Sequence, residues 1–248
     1  RDRSVSRGLG DVYKRQHTNR AVRNISRIAA AYGYSADMTI FQRNITMSLI
    51  CKDDETLRRT SVRKLKPLAF NLNLIQQLSE LSWLPVDNNV SIAEMEQAFR
   101  SMVRTKRFSR WTDLLLVSVG NAAFCRLFNG DLWAMLTVFA ATMLGFLAKQ
   151  QLTRLKYNPL GVIILSAFTA SMAAACAVLF QIGSTPQIAL AASVLFLVPG
   201  VQMINSIMDL MHGHILMGIS RGVHSIMMIA CIAIGLSATM LIVGVNSL

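Results

Sequence analysis

Charge is what this 248-residue chain has least of: 15% of its residues are Asp, Glu, Lys or Arg, against roughly a quarter in an ordinary soluble domain. The deficit is concentrated. Residues 111–248 hold 5 of the 25 basic and 3 of the 13 acidic residues, and 1–110 hold the rest. A water-facing surface cannot be built from so few charges, which excludes an ordinary soluble fold for the second region. Cysteine is also sparse. Cys51, Cys125, Cys176 and Cys231 are scattered with no CxxC pair, so neither a disulfide framework nor a zinc site is indicated, and they read as reduced packing residues. The one His before residue 200 is His17, and neither a Ser/His/Asp set nor a carboxylate pair is in evidence, which speaks against an enzyme. A glycine-rich nucleotide loop is missing, which speaks against ATP drive. The fourteen Met show no clustered motif for copper and serve to fill gaps. No cofactor or metal is expected.

What the chain does have is apolar length. Hydrophobic residues make up 53% and mean hydropathy is +0.43. The net charge of +12 lies mostly ahead of the apolar region, where anionic lipid and the positive-inside rule account for it. No nucleic-acid partner is expected.

Residues 1–16 lack apolar periodicity, and Asp11 to Gln16 resembles translated adaptor sequence. The expectation is a non-native segment on a chain truncated at its N-terminus. Residues 17–110 read as a basic cytoplasmic α+β domain. A helix over 18–32 puts Ala21, Ile25, Ile28 and Ala29 on one face. Residues 38–41, 45–51 and 56–62 are β-rich runs, with a polar turn at 53–55. Pro67 opens a second helix, with Leu68, Leu72, Ile75 and Leu78 in its stripe, and Trp83-Leu84-Pro85 closes it. Ser91-Ile92-Ala93-Glu94 has the capping-box pattern of a helix running to about Val103.

Residues 111–248 divide into a bundle of five transmembrane helices, at about 111–128, 132–148, 159–180, 188–211 and 223–245. Each is near the ~20 residues that cross ~30 Å of hydrocarbon. The fold class is therefore a mainly α membrane protein with a small cytoplasmic α+β domain in front. Lys149, Arg154 and Lys156 lie between spans 2 and 3, and Arg221 lies between spans 4 and 5. With the basic domain inside, these loops also fall inside, and the C-terminus emerges outside.

Polar residues within apolar spans are expensive and therefore informative. In span 4, Gln202, Asn205, Ser206, Asp209 and His212 recur at helical spacing as one polar stripe. That stripe must face the bundle or an aqueous cavity, and it makes Asp209 the candidate to take and release a proton as a carrier alternates. Ahead of it, Pro199-Gly200 interrupts the helix, freeing backbone groups that can serve a substrate or ion, as in transporters with broken helices. A plain kink and an interfacial acid are the alternative. Asn121, mid-span in span 1, suits inter-helix glue as well as a ligand. Arg126 and Asp131 flank the Asn129-Gly130 turn as an expected ion pair. Ser166, Ala170 and Ala174 form a small-residue stripe for helix packing. His212 and His214, two apart on a helix, point to different faces, and no third metal ligand accompanies them.

Ser184-Thr185-Pro186-Gln187-Ile188-Ala189-Leu190-Ala191-Ala192-Ser193, then Leu197-Val198-Pro199-Gly200, Ile204-Asn205, Asp209, Gly213-His214 and Gly218, with Asn129-Gly130 upstream, resemble the threonine/serine exporter family. The match is nearest to its split members and runs from about residue 21 to the C-terminus. The resemblance implies a further amphipathic helix ahead of Ala21, in line with truncation. It also implies a secondary exporter in the bacterial inner membrane, carrying threonine and serine or dicarboxylates such as succinate on a proton or substrate gradient. A separate small four-span membrane protein, matching the family's C-terminal half, is the implied partner. A non-transporting membrane adaptor and a membrane-bound hydrolase-like enzyme are the alternatives.

The orientation is testable by labelling. In a Cys-free background, single cysteines in the 129–131 and 181–187 loops should react with an impermeant maleimide from outside. Cysteines near Arg154 and Arg221 should react only after permeabilisation. External labelling near Arg154 would reverse the topology.

Overall fold

The computed structural model describes residues 18–40, 44–54, 56–64, 72–88, 90–103 and 109–244. The expectations for 1–16, His17, Phe41, Glu55, Pro67 and Leu68 lie outside the described residues. Two compact units emerge, Arg1–Lys106 with Gln202–Gly222, and Arg107–Val201 with Val223–Leu248.

In the first unit, helix α1 (Thr18–Ala31) buries Ala21, Ile25, Ile28 and Ala29, the face that their spacing marks out. Strands β1 (Tyr34–Ile40), β2 (Asn44–Cys51) and β3 (Arg58–Lys64) form an antiparallel sheet in that order. The register pairs Met38 with Met47 and Ile40 with Ile45. The alternation of strand side chains then sends these residues to one face, where they cluster with Ala21 and Ile25. On the other face Ser48 and Thr60 share a hydrogen bond of 2.8 Å. Helices α2 (Leu72–Leu81), α3 (Leu84–Asn88) and α4 (Ile92–Val103) follow, and Leu78, Leu81 and Met95 pack with Ile28 in a second cluster.

The capping box is present: Ser91 N donates to Glu94 at 2.9 Å, and Glu94 N donates to Ser91 Oγ at 3.3 Å. Trp83-Leu84-Pro85 does not simply close a helix, because Pro85 sits in the first turn of α3, where a missing N–H costs nothing. Arg27 lies 3.6 Å over the Trp83 ring and donates to Ser82 Oγ at 2.7 Å. One of the basic residues thus ties α1 to the α2–α3 corner.

The second unit contains α5 (Arg110–Leu127), α6 (Leu132–Arg154), α7 (Pro159–Leu179), α8 (Pro186–Ala192) and a 3-10 turn (Leu195–Leu197). Helix α9 (Gly200–Met211) follows, and α10 (Ile215–Val243) runs from one unit into the other. The polarity of the bundle is inverted. Many buried positions are small or hydroxylated, Ser118, Ala134, Thr142, Ser166, Ala170 and Ala174 among them, beside larger apolar ones such as Leu114, Val138 and Leu190. Exposed positions are large and apolar: Trp111, Leu116, Val119, Leu136, Leu165 and Ile226. The small stripe of α7 has the packing role expected of it, since a Cβ added at Gly145 of α6 would meet Ala170 Cβ at 2.6 Å. Ser171 and Thr239 share a hydrogen bond of 2.6 Å between α7 and α10.

Among the described residues, three helices (α6, α7 and α10) are long and apolar enough to cross a membrane, and a fourth if the broken stretch from Pro186 to Met211 counts as one span. The first expected span, 111–128, coincides with α5, an 18-residue helix carrying Arg110, Asp113 and Arg126, which is not apolar enough to count among them. The chain is mostly helical with a small three-stranded sheet, and three to four of its helices suit a bilayer.

Candidate functional site

Four of the five residues of the expected polar stripe lie on α9, whose periodicity is that of an inside-out helix, while His212 falls in the turn after it and is exposed. Ser206 and Asp209 are buried and Gln202 and Asn205 half-buried, while Val201, Ile204, Ile207, Leu210 and Met211 are exposed. After Met211 the chain reverses in a Schellman turn. His214 N donates to Asp209 O at 2.9 Å and Gly213 N to Leu210 O at 3.1 Å, with Gly213 at φ 81°. The left-handed residue there favours glycine.

The reversal lays the first turns of α10 against α9. A Cβ on Gly218 would meet Leu210 Cγ at 2.6 Å and Ser206 O at 2.9 Å, and one on Gly222 would meet Ser206 Oγ at 2.9 Å. Ser206 Oγ donates to Gly218 O at 2.6 Å. Gly218 and Gly222, four residues apart, allow the helices to approach in the manner of small-residue contacts between membrane helices.

At this contact Asp209 is not solitary. Arg221 Nη1 donates to Asp209 Oδ2 at 2.6 Å, with the two side chains 12% and 1% exposed. Arg221 is therefore not a loop cation, as its position between two spans suggested. It is a helical residue whose charge opposes the burial cost of the acid. The Asp209–Arg221 and Ser206–Gly218 contacts each join residues twelve apart on either side of the glycine turn.

Of the other candidates, Gln202, Asn205 and Asp209 belong to the first unit, and Asn121, Pro199 and Gly200 to the second. The segment from Pro186 is helical to Ala192, turns at Leu195–Leu197 and resumes as helix at Gly200. Asn121 of α5 meets this break. Its Nδ2 donates to Ala192 O at 3.1 Å and to Thr142 Oγ1 at 2.7 Å. The amide joins three helices and occupies a carbonyl at the end of α8, which fits the glue reading.

Asp131 does not pair with Arg126, which donates to Gly130 O at 3.1 Å. The acid instead accepts from Ser184 N at 2.7 Å, Ala134 N at 2.8 Å and Thr185 Oγ1 at 3.1 Å. It latches the loop before α6 to the loop before α8. These bonds, that of the Ser184 N–H foremost, hold its carboxyl below the usual carboxylate range.

Among the described residues no three His, Cys, Asp or Glu converge as metal ligands, and the His212 ring sits 2.7 Å from Met208 O. A cavity of about 260 Å³ lies within the first unit, lined by Val22, Met38, Ile40, His214, Ile215 and Met217 among others. None of the stripe residues lines it.

Residues 16–243 match the family described as "Putative threonine/serine exporter". The chain is 31% identical over 220 residues to "Probable succinate transporter subunit YjjP" of Klebsiella aerogenes, covering 87% of this chain and 83% of that one. It is 31% identical over 221 residues to the protein of the same description from Escherichia coli K12, covering 86% and 84%. No solved structure matches it.

Removing one member of the Asp209–Arg221 pair strands the other charge. Asp209→Asn or Arg221→Gln alone should cost about 3–5 kcal/mol, whereas Asp209→Leu with Arg221→Met should fold about as stably as the wild type. Thermal unfolding of the purified chain in detergent reads the order. A double variant no better than the single ones would show that the two residues are not partners.

Proposed function

The chain belongs to the threonine/serine exporter family, whose members are membrane transporters rather than enzymes, and from that premise we propose that it is the larger component of a two-component secondary exporter for dicarboxylates such as succinate. The observation that carries this reading is the pair of relatives described as succinate transporter subunits over more than four-fifths of their length. The word "subunit" motivates the partner, a small four-span membrane protein matching the family's C-terminal half.

In this reading the protein sits in the bacterial inner membrane with five spans, α5 being the first, the N-terminal domain inside and the C-terminus outside. The break at Pro199 and Gly200 lets α9 move relative to α8 as the carrier alternates, and Asn121 steadies the fixed end. Gln202 and Asn205 offer hydrogen bonds to a small polar solute, and Asp209 carries the proton that couples the cycle. Support for this comes from the inverted polarity of α9, which collects every polar side chain between 202 and 209 on the sheltered face.

The test uses inverted membrane vesicles holding both subunits, in which export reads as uptake. Labelled succinate should accumulate, excess unlabelled dicarboxylate should compete, and threonine and serine should not. Accumulation should fall to background without the companion. Collapsing the pH gradient should abolish accumulation while leaving equal-pH exchange. Competition by threonine and serine alone would replace the substrate class, and accumulation that ignores the pH gradient would remove the proton.

A further inference from the structure

We propose that Arg221 is the residue that receives the carboxylate of the transported solute, with Asp209 holding that place while the solute is absent. The inference rests on the exporter reading and names the group that recognises its substrate.

A buried ion pair is a poor device for stability alone, because desolvating both charges offsets most of their attraction, and an apolar pair of the same size holds a fold as well or better. The pair here stands in helices whose outward residues are Ile204, Ile207, Leu210, Leu216 and Ile219, and in apolar surroundings a charge is costly unless it is paired. Its chemistry is that of a carboxylate bound to a guanidinium, 2.6 Å between Nη1 and Oδ2. A small organic acid presents the same group. The two partners are also not equally sheltered: Arg221 keeps 12% of its side chain exposed and Asp209 1%. The arginine is thus the less enclosed of the two.

The surroundings fix the two helices that carry the pair, and α9 bears further polar groups on the same face. The Schellman turn at Gly213 and the contact of Ser206 with Gly218 and Gly222 hold α9 and α10 in one register. Such packing gives a planar fork the fixed direction that carboxylate recognition needs. Asn205 and Gln202 follow Asp209 along the same face of α9, about one turn (~5.4 Å) apart each, and supply donors and acceptors for the remainder of a small polar molecule. Entry of the solute exchanges one carboxylate for another on a single cation, the displaced Asp209 taking up the proton that the exporter reading assigns to it. No covalent bond between heavy atoms is made or broken in that exchange.

The experiment uses the full chain with its companion in liposomes and two probes that each carry a carboxylate, succinate and threonine. Arg221→Lys keeps the charge and loses the fork. It should retain the wild-type unfolding temperature while raising KM for the transported probe about tenfold or more, with kcat less affected. The charge exchange Asp209→Arg with Arg221→Asp should restore thermal stability relative to either single change, yet leave transport at least about tenfold below wild type.

Recovery of transport together with stability in the exchanged pair would reduce Arg221 to a structural lock, as would an unchanged KM in Arg221→Lys should the exchanged pair not fold. A wild-type pair that carries threonine and not succinate would correct the substrate class and leave Arg221 to be judged on threonine. A wild-type pair that carries neither would overturn the exporter reading and this proposal with it.

Discussion

Inside hydrocarbon no polar group can be left without a partner, and that constraint organises the bundle of apolar helices, while the buried groups of α9 and α10 are answered in the same way. Where large apolar side chains face outward, the hydroxyls, amide and acid that are turned inward must be answered there. The hydroxyls are met at home: Ser118, Ser166 and Ser171 each donate to the carbonyl four residues back. The one amide of α5, Asn121, is met by Thr142 and by the carbonyl that the end of α8 leaves open. The acid of α9 is met by Arg221. With these groups satisfied, the helices pack through small residues, because hydrocarbon offers no hydrophobic reason for them to associate.

The departures from regular helix follow the same logic. A break in a membrane helix exposes backbone groups that lipid cannot satisfy, so it is tolerated where protein or water can. The interruption before Gly200 is bounded on one side by the Asn121 amide and on the other by a helix with a continuous polar face. The reversal after Met211 closes its own carbonyls through Gly213 and His214. On the loops, Asp131 performs the corresponding service, capping α6 and binding the backbone of Ser184. This accounts for why the Asn129-Gly130 turn and the Ser184-Thr185-Pro186 run, far apart in sequence, belong to one recognisable pattern.

Much of this was legible in the amino-acid order, and the reason is periodicity. Ala21, Ile25, Ile28 and Ala29 declared the face of α1, the capping box at Ser91 and Glu94 declared the start of α4, and the stripe from Gln202 to Asp209 declared the sheltered face of α9. What was not legible were pairings between separate elements. Arg221 read as a loop charge because helix ends in apolar sequence are marked only by the glycine at 213, and a helix that starts at Ile215 carries the arginine inward. Arg126 and Asp131 read as an ion pair because they are close in sequence, whereas the carboxylate finds stronger donors in the backbone of a loop 53 residues away. Asn121 was open between glue and ligand until its two partners, on different helices, were seen.

The central claim is that α9 turns its polar face to protein and its apolar face to lipid. Spin labels placed singly along 201–211, with the chain alone in bilayers, test it through collision with oxygen, which partitions into lipid, and with a water-soluble nickel chelate. Oxygen access should rise at 201, 204, 207 and 211 and fall at 202, 205 and 209, with a period near 3.6 residues. A nickel signal that peaks at 204 and 207, or oxygen access that peaks at 205 and 209, would contradict the account.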